Sequence, residues 1–237
     1  MASRIRQYLD GVAQLHHAGV IPLASVILFG SAASGAFSES SDVDLIIVIP
    51  DETSLEDAGG HAHSFFFCTR GDLISGEVAR VFGLRTSEEV FLERTFLASV
   101  IVSAKTVWGE DLLNLVPLSP LRRHDVFKAL FRLTGLVLLS AAAFWVLPDA
   151  TRYAMGALKH SVHSCYFCYH LKASSLDEEV AFFNVRLGRD RTLQDLLNQR
   201  REYHRSFAFV LRCVPVLFWL HLQTVRDNRF PRTVARA

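Results

Sequence analysis

The chain has 237 residues, half of them hydrophobic, and its 25 lysines and arginines nearly balance its 24 aspartates and glutamates. This length allows a real hydrophobic core, in either one large domain or two small ones. The net charge of +1 argues against a dedicated nucleic-acid coat protein, and four cysteines are too few for a disulfide scaffold, which favours a reducing, cytoplasmic setting.

The first half of the chain alternates between helical and strand patterns. The predicted elements are a helix that ends at Gly19, strands over residues 24–29, 43–49 and 64–68, a helix over residues 86–104, and a short strand with a turn over residues 105–113. Glu88 and Glu89 suit the first turn of the helix at 86–104, because the helix dipole favours negative charge there. Such an alternation predicts an α/β fold.

The second half shows helical patterns throughout. Two prolines within four residues, Pro117 and Pro120, mark a linker, so we predict one domain over residues 1–116 and a second over residues 117–237. The predicted helices of the second domain cover residues 122–147, 150–173, 176–188 and 193–225. This domain is therefore expected to be an all-α helical bundle.

Two segments of the helical half are strongly apolar. The run over residues 133–148 is shorter than a bilayer span and ends at Pro148. The run over residues 207–222 contains Arg212 and Pro215. Both features favour buried core helices over membrane spans. The amount of apolar surface also predicts a homodimer, or a protein partner, bound through the helical domain.

A segment rich in histidine and cysteine, residues 160–170, raises the possibility of a zinc site. On a helix its three histidines share one face, while Cys165 and Cys168 turn away from it. Zinc requires four converging ligands, and this segment alone does not bring four together. We therefore interpret the cysteines as small core residues.

The segment LFGSAASGAFSESSDVDLIIV, residues 28–48, carries the strongest chemical pattern. Asp42 and Asp44 are two residues apart at the start of a predicted strand, so both point to the same face. Two carboxylates on one face repel each other unless a cation lies between them. Mg²⁺ suits such a pair, because it prefers oxygen ligands and keeps waters and substrate phosphates in its coordination shell.

The loop before the aspartates supplies the matching part of a phosphate site. Gly30 and Ser31 follow a strand and can open a helix, where free backbone N–H groups favour phosphate. Gly30 lets a phosphate approach the backbone closely. The residues therefore predict a metal-bridged triphosphate site. A simple turn built on Ser41 and Asp42 is the structural alternative.

This segment resembles the signature of the DNA polymerase beta-like nucleotidyltransferase superfamily, in particular its minimal and aminoglycoside-type members. The shared features are a hydrophobic strand, Gly-Ser, a short spacer, and Asp-x-Asp in the next strand. The resemblance implies an α/β (α+β) core with a mixed sheet, followed by a helical domain. By position, the residues implied to contact the nucleotide are Gly30, Ser31 and Ser41, and those implied to hold two Mg²⁺ ions are Asp42 and Asp44.

The reaction implied by this resemblance is the transfer of a nucleoside monophosphate from an NTP, with ATP as the expected co-substrate, to an acceptor hydroxyl. The acceptor would be a small molecule such as an antibiotic, or a protein side chain. No nucleic acid or membrane partner is expected.

The family normally adds a third carboxylate from a neighbouring strand, but the predicted strand at 64–68 contains none. The candidates for the general base are His63, Glu77, Glu88 and Glu89. Histidine can serve near neutral pH. Two alternatives stay open at this point: a catalytically degenerate protein that binds nucleotide without transferring it, and an antitoxin-like interaction protein.

Overall fold

The structure is a computed structural model that describes residues 2–19, 22–35, 43–52, 66–75, 81–83, 88–90, 94–116, 118–188 and 190–235. The chain divides into two compact units. The first, the sheet unit, comprises residues Met1–Leu92, Val100–Ser119 and Ala235–Ala237, and the second, the helical unit, comprises Glu93–Ser99 and Pro120–Val234.

The sheet unit is built on a mixed four-stranded sheet in the order β3-β2-β1-β6. Its elements are α1 Ala2–His17, β1 Ser25–Phe29, α2 Gly30–Ser34, β2 Asp44–Ile49, β3 Phe66–Thr69, α3 Arg70–Ser75, β4 Val81–Gly83, β5 Glu88–Val90, α4 Arg94–Ser103, β6 Lys105–Gly109, and a 3-10 turn at Leu112–Leu115. Helix α4 crosses the division between the two units. Strand β1 is antiparallel to both β2 and β6, whereas β2 and β3 are parallel. The expected mixed sheet is confirmed.

The two central strands are buried along nearly their whole length. One face of the sheet packs with Val12 of α1 and the small residues Ala32 and Ala33 of α2 in a single apolar cluster. Strands that are covered on both faces read as continuous apolar runs instead of alternating patterns. This explains why both strands could be recognised from the sequence.

The predicted helix at 86–104 is wrong in its first half. Helix α4 begins at Arg94, and Glu88–Val90 instead form β5, which pairs antiparallel with Val81–Gly83. The backbone of this hairpin lies beside β3. Pairing with a second segment outweighs the local helix preference of the two glutamates, a common outcome where strand partners are available.

Besides the first part of α4, the helical unit contains five helices in its described residues. They are α5 Arg123–Ala142, α6 Ala150–His170, α7 Leu176–Leu187, α8 Arg191–Arg201 and α9 Phe207–Asp227. Their buried residues form one apolar cluster, so the predicted helical bundle is confirmed. The helix predicted over 193–225 is in fact two helices. The break occurs because Glu202 ends α8, and the side chain of Ser206 accepts a hydrogen bond from the N–H of Phe209 and caps α9.

Among the described helices, α9 is the one whose length and composition would allow it to cross a membrane. Such a signal from a single helix is weak, because core helices pass the same test. One face of α9 packs into the bundle core through residues such as Val210, Cys213 and Leu217.

The cysteines of the 160–170 segment lie in the bundle core. Cys165 and Cys168 are both buried, and burial raises the pKa of the Cys168 thiol to about 12. Only a thiolate binds metal well, so this cysteine is a poor ligand. His163 instead places Nδ1 2.7 Å from a carboxylate oxygen of Glu179, which is itself buried. Burial raises the pKa of Glu179, and the hydrogen bond from His163 opposes that rise.

Candidate active site

Gly30 and Asp44 are neighbours at one edge of the sheet. Strand β1 ends at Phe29, which lies opposite Asp44 in the ladder with β2. Gly30 follows with φ at +68°, a left-handed conformation that glycine adopts without strain. A Cβ placed on Gly30 would lie 2.5 Å from Oδ2 of Asp44. The carboxylate of Asp44 therefore occupies the space that any side chain at Gly30 would need.

Four strand ends meet at this edge. Because β1 is antiparallel to both neighbours, its end lies beside the start of β2 and the start of β6. The parallel strand β3 starts at the same edge. At the start of β6 stands Lys105, which is exposed and lies opposite Leu28 in the ladder. The backbone of Gly30, the start of β2 at Asp44 and the start of β6 at Lys105 thus lie at one edge, while the register places the side chains of Asp44 and Lys105 on opposite faces of the sheet.

Lys105 did not emerge from the sequence as a site residue. The signal available was its position as the first residue of a strand after an apolar helix, which is too common a pattern to select it. Its relation to Gly30 depends on the pairing of β1 with β6, two segments more than seventy residues apart. Within the described residues Lys105 takes part in no ion pair.

The opposite edge of the sheet has a different set of charges. There Asp51 accepts a hydrogen bond of 2.5 Å from the N–H of Gly71. Arg70 forms two hydrogen bonds with Glu110 and lowers the pKa of that carboxyl. These groups bond to one another and stabilise the loops that follow β2, β3 and β6, so we assign them a structural role.

The remaining predicted site residues are described only in part or not at all. Ser31 is the second residue of α2, and the structure describes its backbone alone. Glu88 and Glu89 are placed, by backbone, in the hairpin beside β3. The predicted residues that lie outside the described part of the chain are Ser41, Asp42, His63 and Glu77. Their roles stay predictions.

The carboxylate of Asp44, together with that of Asp42, is a set of oxygen ligands compatible with Mg²⁺. In the described ranges no group of three or more histidine, cysteine, aspartate or glutamate side chains could hold a metal ion. Asp44 supplies one carboxylate oxygen donor at the sheet edge, and Asp42, two residues earlier in the chain, would supply the second. A pair of carboxylates that leaves positions for water and phosphate is the arrangement that Mg²⁺ prefers.

Comparison with known proteins finds one family model and a solved structure to which the chain is similar. A family model described as a nucleotidyltransferase domain matches residues 5–97, a range that includes Gly30 and Asp44. No curated protein matches the chain. Among solved structures, the chain is similar to a spectinomycin adenyltransferase from Enterococcus faecialis, determined with ATP and spectinomycin. The TM-score is 0.62 at 11% identity, over 93% of this chain and 99% of the other. At this identity the likeness is one of fold.

Proposed function

We infer that this chain, whose residues 5–97 match a family model described as a nucleotidyltransferase domain, transfers a nucleoside monophosphate from an NTP to an acceptor hydroxyl. The observation that carries this proposal is the close approach of the Asp44 carboxylate to Gly30 at the edge where β1 ends and β2 begins. A carboxylate beside a side-chain-free backbone suits a metal-bound polyphosphate.

ATP is the co-substrate that we propose, with a small molecule of the antibiotic class as the acceptor. This choice is supported by the fold likeness to a protein that was determined with ATP and spectinomycin. A fold alone does not specify an acceptor, so a protein side chain stays as the second acceptor class.

Asp42 and Asp44 would hold the magnesium ions of the proposed site. When bound, two such ions neutralise the charge that develops on the attacking and leaving oxygens of a phosphoryl displacement. The chain's own contribution would be to hold the Asp44 carboxylate next to Gly30, with Asp42 two residues earlier in the sequence.

The backbone at Gly30 and Ser31 and the ammonium group of Lys105 would bind the triphosphate. The backbone of all three residues lies at the same sheet edge, and the flexible Lys105 side chain, which leaves the sheet on the face opposite to Asp44, would reach around the strand end. A lysine ammonium is a flexible point charge that suits phosphate oxygens. Lys105 would stabilise the negative charge of the pyrophosphate as it leaves.

The acceptor hydroxyl must lose its proton as its oxygen bonds to the α-phosphorus and the bond to pyrophosphate breaks. We propose a glutamate of the β4–β5 hairpin, Glu88 or Glu89, as the base that takes this proton. The hairpin lies beside β3, the parallel neighbour of β2, which keeps its glutamates within the sheet unit that carries Gly30 and Asp44. Magnesium nearby would also favour an ionised carboxylate over a protonated histidine.

The proposal is tested by the binding of ATP to variants of the aspartate pair. Asp42→Asn and Asp44→Asn should each abolish Mg²⁺-dependent ATP binding in calorimetry while the far-ultraviolet circular dichroism spectrum stays native. The control is Asp51→Asn, which removes a carboxylate at the opposite sheet edge and should bind ATP normally. Wild-type Mg²⁺ dependence in either site variant would contradict the two-metal assignment.

A nucleotide-binding protein without turnover is the second candidate. It is favoured by one observation, the absence of any acid among the four residues of β3. Pyrophosphate release, measured with the four NTPs and a panel of aminoglycosides, aminocyclitols and protein acceptors, separates the two. Mg²⁺-dependent ATP binding with no release for any acceptor would favour this second candidate.

A further inference from the structure

Helix α9 has two apolar faces; among the described residues one is buried in the bundle core and the other is partly exposed. The first face lies in the bundle core and includes Phe209, Val210, Cys213, Leu217 and Leu220. The second face is exposed and consists of Phe207, Leu211, Pro215, Phe218 and Leu222. These five residues are called the α9 seam below. Its four large members are each 36 to 50% exposed.

The spacing of the α9 seam is that of a surface which packs against another helix. Its members follow one another at intervals of four, four, three and four residues. Leu211 and Phe218 are one heptad apart, as are Pro215 and Leu222, and this period keeps a seam facing a partner helix. No charged residue belongs to the seam. Arg212, beside it in sequence, bonds instead to Asp195 at 2.6 Å.

The seam is also symmetric about its own centre. A two-fold axis perpendicular to α9, passing between Val214 and Pro215, would place Phe207 opposite Leu222 of a second copy, and Leu211 opposite Phe218. Each aromatic ring would then face a leucine, and every contact would occur twice. This is the property of an isologous interface, in which residue i contacts residue j and j contacts i.

The apolar area is close to what a stable dimer needs. At the N-terminal end of α9 the seam continues to Trp145, whose ring centroid lies 6.0 Å from that of Phe207. Trp145 and the adjacent Val146 are 78% and 84% exposed. Taking 150–250 Å² for a fully exposed large side chain, these residues together expose roughly 600–700 Å². A standard interface buries about 800 Å² on each partner, and polar residues at the rim add to the apolar total.

We propose that a second copy of this chain docks on the α9 seam, with the two α9 helices antiparallel across a two-fold axis. The uncharged, self-complementary pattern requires no different partner. The interface is independent of the proposed nucleotidyltransferase activity, so a failure of one proposal leaves the other unaffected.

The first test is the oligomeric state of the full chain in sedimentation velocity. Interfaces of this size bind in the micromolar range or tighter, so the wild type should be a dimer at ~10 μM. Leu211→Glu and Phe218→Glu should each give a folded monomer, because both positions are surface exposed. Val185→Glu is the matched control. It charges an apolar residue that is 84% exposed on α7 and should leave the dimer intact.

The second test fixes the helix direction. All four native cysteines are buried, so a cysteine introduced into the seam would be the accessible one. A mixture of Leu211→Cys and Phe218→Cys proteins should form a disulfide between the two variants more readily than either protein forms one with itself. Preferred disulfides within each variant would overturn the antiparallel arrangement.

Two further outcomes would overturn the proposal itself. One is a wild-type monomer at ~10 μM, or a dimer that persists in both glutamate variants. The other is a monomer that co-sediments with phosphatidylcholine–phosphatidylglycerol vesicles and loses that property in Leu211→Glu. This second result would assign the seam to a membrane surface.

Discussion

Asp44 fills the space beside Gly30, so that a Cβ on Gly30 would lie 2.5 Å from Asp44 Oδ2. The same glycine has φ at +68°. Two independent constraints, one of backbone conformation and one of space, therefore act on a single residue at the point where β1 ends. Such a combination is expected where a carboxylate must lie directly against the backbone.

The first prediction separates these two constraints. Gly30→Ala should destabilise the protein and weaken ATP binding more than Gly35→Ala does. Gly35 also has a positive φ, at +81°, but a Cβ there would meet nothing within 4 Å. The strain of a left-handed alanine, roughly 1 kcal/mol, is common to both variants, and the displacement of Asp44 occurs only in Gly30→Ala. Urea unfolding and calorimetry provide the two measurements. Equal losses in both variants would show that the contact with Asp44 has no energetic effect.

The second prediction concerns Lys105. Lys105→Ala should raise KM for ATP roughly tenfold or more, since a hydrogen bond to a charged group contributes about 1.5 kcal/mol or more. Its side chain is exposed, so the melting temperature should not change. Lys105→Arg should recover much of the affinity, because it retains the charge. Lys128→Ala removes an exposed lysine from the helical unit and serves as the control. An unchanged KM in Lys105→Ala would exclude this lysine from the phosphate site.

The third prediction identifies the general base by the pH dependence of turnover. A histidine base loses its proton-accepting form below about pH 6.5, whereas a glutamate of ordinary pKa keeps it down to about pH 4.3. We expect Glu88→Gln or Glu89→Gln to lose turnover, while His63→Ala and Glu77→Gln retain it. The acid limb of the wild-type profile should lie below pH 6.

Full rates in all four variants would mean that the base is a different residue. A large loss in His63→Ala, with an acid limb near pH 6.5, would assign the base to the histidine.

The fourth prediction concerns acid stability and His221. This residue is fully buried in α9, and burial lowers its pKa from 6.5 to about 4. The folded state thus favours the neutral ring, so the stabilisation is complete above pH 6.5 and is lost as the pH falls towards 4. The loss should reach about 3 kcal/mol at pH 4.

In His221→Leu this dependence should disappear, which urea unfolding at pH 7 and pH 4.5 can measure. Within the described residues Nε2 of His221 has no hydrogen-bond partner, while Nδ1 lies 2.8 Å from the carbonyl oxygen of Leu217, so the leucine should cost about one hydrogen bond, ~1 kcal/mol, at neutral pH. Other buried histidines contribute equally to the wild type and to His221→Leu. The difference between the two proteins in how their unfolding free energy changes from pH 7 to pH 4.5 therefore isolates His221. An equal change in unfolding free energy in the two proteins would show that His221 titrates normally in the folded state.

Local patterns in the sequence determined the elements that form the site. The apolar runs of β1 and β2, the Gly-Ser pair that follows β1, and the aspartate at the start of β2 were all identified without a structure. The helical bundle was expected from helical patterns, whereas the mixed sheet was expected from the resemblance to a known superfamily. These signals could be read because each lies within one short segment, and because burial on both faces imposes a continuous apolar sequence.

The tertiary structure decided what depends on pairing between distant segments. Glu88 and Glu89 favour a helix locally, yet they lie in a strand because Val81–Gly83 pair with that segment. Lys105 reaches the site edge only through the pairing of β6 with β1. The second apolar face of α9 could be distinguished from the first only by its exposure, because a sequence shows that a residue is apolar but not which neighbours cover it.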